Sequence, residues 1–319
     1  MKLKELYRKA IEIGIDNDPR GRGEVSADLR RIREEYEKMR SDEKEIFDME
    51  SLQNPYSDSR ILHGSGEEEI KHILIGIDIE VGEVLLAETL RKNGTTIDLL
   101  FSHHPEGMAF ANLYSVMHMQ SDILSRLGVP INIAEHLMDG RAKEVERKLM
   151  PANHTRAVDA ARLLGLPFVC LHTPTDNMVV TYLQRLFDTE QPRTLSDIMD
   201  ILRGIPEYGN AIRNGSGPKI FLGSRNRRAG RIFVDMTGGT EGSKDIFKSL
   251  ASAGISTIVA MHLSEEHRKE AENNHLNLVV AGHISSDNLG VNLLLDKLLH
   301  GESATILECS GFQRVSRGG

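Results

Sequence analysis

Tryptophan is absent from this chain, and six tyrosines and nine phenylalanines bring aromatic residues to only 5% of 319 positions. Proteins that hold single-stranded nucleic acid stack bases on aromatic rings beside a basic groove. Basic groups are also in deficit here, with 39 Lys and Arg against 47 Asp and Glu for a net charge of −8. Both scarcities argue against a protein that grips a nucleic acid or an anionic membrane. Cysteine is nearly missing as well: Cys170 and Cys309 each lie in an apolar, strand-like run. That usage offers no disulfide framework and no sulfur-rich metal site, and it suits reduced core thiols. No apolar run approaches the roughly 20 residues needed to cross a bilayer. The opening MKLKELYRKAIEIG places Leu3, Leu6, Tyr7, Ala10 and Ile11 at helical spacing, as an amphipathic helix does and a secretory signal does not. A soluble cytoplasmic protein with no membrane partner is expected.

What is present is an alternation of apolar runs and helical patterns from His72 onward, the mark of layered α/β structure with largely parallel strands. A single core seldom grows past roughly 250 to 300 residues, so two lobes are expected. The divisions fall at 1–68, a helical N-terminal extension with a thin apolar stripe; 69–180, a first α/β lobe; and 181–319, a second α/β segment. Five apolar runs end on histidine: IDLLFSHH at His103 and His104, PINIAEH at His136, LPFVCLH at His172, TIVAMH at His262 and LVVAGH at His283. All five read as buried strands, and parallel sheets place ligand sites at the carboxyl ends of their strands.

Two spacings sharpen that pattern. In HTPTD and HISSD an aspartate, Asp176 or Asp287, follows a strand-end histidine by four positions, where a loop turns toward a helix. Imidazole nitrogens together with hard carboxylate oxygens suit a paired centre of two divalent ions, zinc, iron or manganese. His103 and His104 are neighbours that would face opposite sides of a regular strand. At the strand's end, before Pro105-Glu106-Gly107, both rings can project over the sheet edge.

The ordered motifs GIDIEVG, SHHPEG, HTPTD and GHISSD resemble those of the Ngg-interacting-factor-three-like family of dinuclear-metal proteins, often labelled homologues of type-one GTP cyclohydrolase. The resemblance runs from about Lys71 to Leu299. It implies a two-lobed α/β subunit in a homo-oligomeric ring, commonly a hexamer. It also implies a first shell of His103, His104, Asp176, His283 and Asp287, with His172 in an outer, orienting position. The family's last acid is usually glutamate, so Asp287 is one methylene shorter than the expected bridge. The chain also has extra residues between SHHPEG and HTPTD, expected at an interface or along the site.

His262 and Glu106 are candidates for moving protons, His262 equally readable as an ordinary strand-end residue and Glu106 more readily as a solvated loop residue. His136 shares that status. The turn Thr237–Gly242 can form an anion nest, and Arg225, Arg227 and Arg228 can hold a phosphate or simply face solvent. The expected function is metal-dependent hydrolysis of a small nucleotide-like or phosphate-bearing molecule. The alternative is a non-catalytic metal-binding or regulatory protein.

Overall fold

The computed structural model describes residues 1–317 as a mixed α/β molecule with two mostly parallel sheets. The first sheet contains β1 (Arg60–His63), β2 (His72–Gly76), β3 (Leu99–Ser102), β4 (Phe168–Cys170) and β9 (Thr305–Cys309), in the order β1-β4-β3-β2-β9. The second contains β5 (Lys219–Leu222), β6 (Arg231–Asp235), β7 (Ile255–Ala260) and β8 (Asn277–Val280), in the order β5-β8-β7-β6. Only β1 and β5 run antiparallel to their neighbours. With β9 set aside, the two sheets therefore repeat one strand order.

Continuous apolar runs form these strands because both sheet faces are covered. Ile73 and Ile75 belong to the same core as Leu99, Phe101 and Val169, whereas Leu74, Leu100 and Phe168 pack into a second core on the opposite face. The second sheet splits likewise, Ile258 and Leu278 to one side and Val259 and Val279 to the other. Such strands cannot alternate apolar and polar residues, since no face meets water.

The run PINIAEH is not a strand. It opens a helix, Ile131–Leu149, whose buried residues Ala134, Met138, Ala142 and Val145 recur at helical spacing. A short apolar run fits either element, and here the periodicity beyond it decides. His136 consequently lies exposed on a helix and not at a sheet edge. Strand β1 lies inside the segment 1–68 read as a helical extension, and the closing strand β9, placed by sequence with the second segment, pairs with β2 of the first sheet.

The N-terminal helix Leu3–Asp16 is no loose extension, since it buries Leu3, Leu6, Tyr7, Ala10, Ile11, Gly14 and Ile15. Full burial of Leu3 and Leu6 contributes roughly 1.5 to 3 kcal/mol each. This helix packs on the two helices that carry Asp176 and Asp287, Thr173–Glu190 and His283–Leu298. A Cβ on Gly14 would stand 2.8 Å from the Pro174 Cβ, so only glycine permits that approach. The next helix, Arg22–Lys38, buries only Val25 and Leu29, matching its thin stripe. Among the described residues no helix is long and apolar enough to cross a membrane.

Candidate metal centre

Both His-x-x-x-Asp units sit on helices and not in loops. One helix starts at Thr173 with Pro174 in its first turn, where proline's missing N–H costs nothing. The other starts at His283. Four-residue spacing then stacks histidine and aspartate on one helix face, His172 Nε2 lying 3.7 Å from Asp176 Oδ2 and His283 Nε2 3.6 Å from Asp287 Oδ2.

His103 and His104, just past β3, enter between these units. His103 Nε2 lies 3.6 Å from Asp176 Oδ1 and 3.5 Å from Asp287 Oδ1, and His104 Nε2 lies 3.4 Å from Asp287 Oδ2. The structure thus brings together the five residues named as ligands, and His172, expected in an outer position, joins them as a sixth. Two sets have ligand atoms close enough to share an ion, His103 with His172 and Asp176, and His103 with His104 and Asp287. His103 Nε2 has one lone pair and serves one ion, so the second set is completed elsewhere, and His283 is the adjacent imidazole. Asp287 keeps a bridging posture despite its short side chain, Oδ1 toward His103 and Oδ2 toward His104 and His283.

The donor atoms fit a cation. Asp176 Oδ1, both Asp287 oxygens and His104 Nε2 are buried without a hydrogen-bond partner, an arrangement that costs several kcal/mol per buried charge unless a counter-ion is supplied. A tetrahedral ion with bonds of about 2.1 Å spaces its ligands roughly 3.4 Å apart, and the separations here run from 3.4 to 3.7 Å.

Three of the four imidazoles are aimed through their other nitrogen. Asp58 Oδ2 accepts from His172 Nδ1 at 2.8 Å, Asp78 Oδ1 pairs with His104 Nδ1 at 2.7 Å, and the Thr175 hydroxyl meets His103 Nδ1 at 2.8 Å. Sequence reasoning passed over Asp58 and Thr175. Asp58 sits in the loop-like YSDS stretch, where no local spacing marks it.

Burial pushes His103 down to about 4. For His104 burial acts the same way, but Asp287 and Asp78 outweigh it and hold the ring at about 10. Burial raises Asp176 to about 8, His172 opposing and Asp287 adding to the rise. Burial would also raise Asp287, yet His103, His104 and His283 overrule it and keep that carboxyl far below its ordinary range. These are opposed pulls on neighbouring groups of one site.

A cavity of about 520 Å³, counting its open mouth, adjoins the cluster, with His172, Asp176 and His283 on one wall. Opposite are Asp235 at the end of β6, the turn Thr237–Gly242, and His262 after β7. His262 Nδ1 faces Glu241 Oε1 at 3.2 Å, and its ring meets that of His283 with centroids 4.7 Å apart. Glu106 does not line this cavity; it caps the short Gly107–Ala111 helix, where burial, reinforced by Glu80, lifts it to about 7.

The Thr237–Gly242 turn is gripped from behind by the first lobe. Gln120 Nε2 donates to Gly238 O at 2.7 Å and Thr240 O at 2.8 Å, and Arg141 Nε donates to Glu241 O at 3.0 Å. Through Arg141, the helix Ile131–Leu149 therefore braces the cavity wall. Among the described residues no Lys or Arg lines the cavity. Arg225, Arg227 and Arg228 lie in the turn between β5 and β6, at the end of β6 opposite Asp235, which removes them from the site. Only a 3-10 turn and the six-residue helix Phe247–Ser252 follow the glycine-rich turn, too little to act as a dipole for an anion.

No protein-family model matches the chain, and neither does any curated protein. Solved structures do. A NIF3 superfamily protein from Sphaerobacter thermophilus is similar at 26% identity and TM-score 0.69, over 80% of this chain and 91% of that one. Reduced HcgD from Methanocaldococcus jannaschii aligns at 15% identity and TM-score 0.49, over 78% of this chain and 87% of its own. Motif order and the likeness to the Sphaerobacter protein agree, and together they support the NIF3-like family for this chain.

Proposed function

We propose that the protein holds two divalent cations and is a hydrolase for a small nucleotide-like or phosphate-bearing molecule. The observation that carries this reading is the set of buried, unpartnered donor atoms on Asp176, Asp287 and His104 beside an open cavity. His103, His172 and Asp176 would hold one ion; His104, His283 and Asp287 would hold the other, with Asp287 facing both. Such a pair supplies Lewis acidity, making water acidic enough to attack near neutral pH and offsetting charge that grows on the attacked group. The chain's own contribution is to fix the ligands through Asp58, Asp78 and Thr175, and to place His262, held by Glu241, across the cavity within reach of a proton on a bound molecule. With no Lys or Arg in the described lining, a substrate phosphate has only the cations to rest on.

Elemental mass spectrometry of protein purified without chelator tests the reading. About two equivalents of metal per chain are expected, both falling in Asp176→Asn and Asp287→Asn, together with loss of any hydrolysis found in a screen of nucleotides and phosphoesters. Metal retained in both variants would sink the assignment. Full metal without turnover on any probe favours a metal-binding or regulatory role. The hexameric ring implied by the family resemblance belongs to the same reading and is measured by sedimentation.

A further inference from the structure

The geometry points to Asp58, in the N-terminal segment, as the positioning residue that makes His172 a direct ligand of the metal pair and not an outer orienting group. The inference rests on the paired-cation reading above. Strand β1 pairs antiparallel with β4 and sets Arg60 opposite Cys170. Two residues outward on each strand, the same register sets Asp58 opposite His172. Asp58 is fully buried, and its Oδ2 accepts from both His172 Nδ1 at 2.8 Å and Thr173 Oγ1 at 2.6 Å. The next residue completes the grip, since Ser59 Oγ accepts the His172 backbone N–H at 2.9 Å and donates to Asp58 Oδ1 at 3.2 Å.

With its Nδ1 proton committed to Asp58, His172 presents the Nε2 lone pair to the space beside Asp176, whose Oδ1 has no partner. A ring of purely structural purpose would have both nitrogens satisfied. Here Nδ1 is satisfied by a carboxylate, while Nε2 lies 3.7 Å from Asp176 Oδ2, too far for a hydrogen bond. Asp78 and His104 repeat the arrangement on the other side of the cluster, so each cation has one histidine backed by a buried or half-buried carboxylate. Carboxylate partners of this kind typically change metal affinity by about 10- to 100-fold.

The test is a stepwise cobalt(II) titration of chelated full-length protein, read by visible absorption, for wild type, Asp58→Asn and Thr173→Val. Wild type is expected to fill in two steps. In Asp58→Asn one step weakens by about 10- to 100-fold with a shifted absorption band while the other stays. Thr173→Val, which removes only the hydroxyl bond to the same oxygen, loses stability but keeps both affinities. Unchanged affinities in a folded Asp58→Asn overturn the inference. Should that variant fail to fold, ¹⁵N-histidine spectra of zinc-loaded wild type decide: His172 carries metal on Nε2 and a proton on Nδ1, or the inference is wrong. Failure of wild type itself to bind cobalt or zinc overturns the paired-cation reading instead, and this inference with it.

Discussion

At the scale of single residues, the cluster stores protons where a cation would sit. Asp176 stands at about 8 against an ordinary 3.8, and His104 at about 10 against 6.5. Both folded values are raised, so the stabilisation from Asp176 is complete below about pH 4 and lost as pH climbs through 8. That from His104 is complete below 6.5 and lost toward 10. His103, lowered to about 4, opposes them only between 4 and 6.5, where the unfolded chain holds its proton. Chelated protein should therefore melt at progressively lower temperature from pH 6.5 to 9. Zinc-loaded protein should show no such decline, because its protons have already been released. Calorimetry at constant ionic strength checks this, and a flat or rising melting temperature in the chelated sample contradicts it.

At the scale of elements, the site depends on how closely two helices cross. A Cβ on Gly290, in His283–Leu298, would fall 2.5 Å from the carbonyl oxygen of Thr175, in Thr173–Glu190. Thr175 also holds His103 by its hydroxyl. Alanine ordinarily gains about 1 kcal/mol over glycine within a helix, but a backbone clash of this kind costs about 1 to 3 kcal/mol. Gly290→Ala is thus expected to lose net stability in urea unfolding and to weaken metal binding together. Stabilisation with unchanged metal affinity would show that the crossing has slack. Much of this layer is legible in the amino-acid sequence. The alternation of strand and helix from His72 onward is present, and four of the five histidine-terminated runs are strands. PINIAEH misleads because seven apolar-leaning residues fit two periods. The helix starts at Thr173 and His283 are hidden because Pro, Thr and Ser look like loop residues until the first turn is formed. Asp58 is out of reach for a different reason: it meets His172 through a strand pairing more than a hundred positions away, which local spacing does not encode.

At the scale of the molecule, the ligands come from both lobes, Asp176 after β4 of the first sheet and Asp287 after β8 of the second. Zinc added to chelated protein is expected to slow amide hydrogen exchange at the first turns of both helices at once, by clasping the lobes together. Slowing confined to one lobe would mean that no ion is shared between them. The return of β9 to the first sheet adds one consequence. Strands β5 to β8 leave the first sheet after β4 and come back to it at β9, so the second lobe is topologically a loop anchored at both ends. Closing such a loop costs an entropy that grows only with the logarithm of its length. The second half of the coordination shell is then presented to the first at an effective concentration in the millimolar range or above. Once one half of the shell has taken up an ion, its closure by the other half would be a first-order event within one chain, at a rate that does not depend on protein concentration.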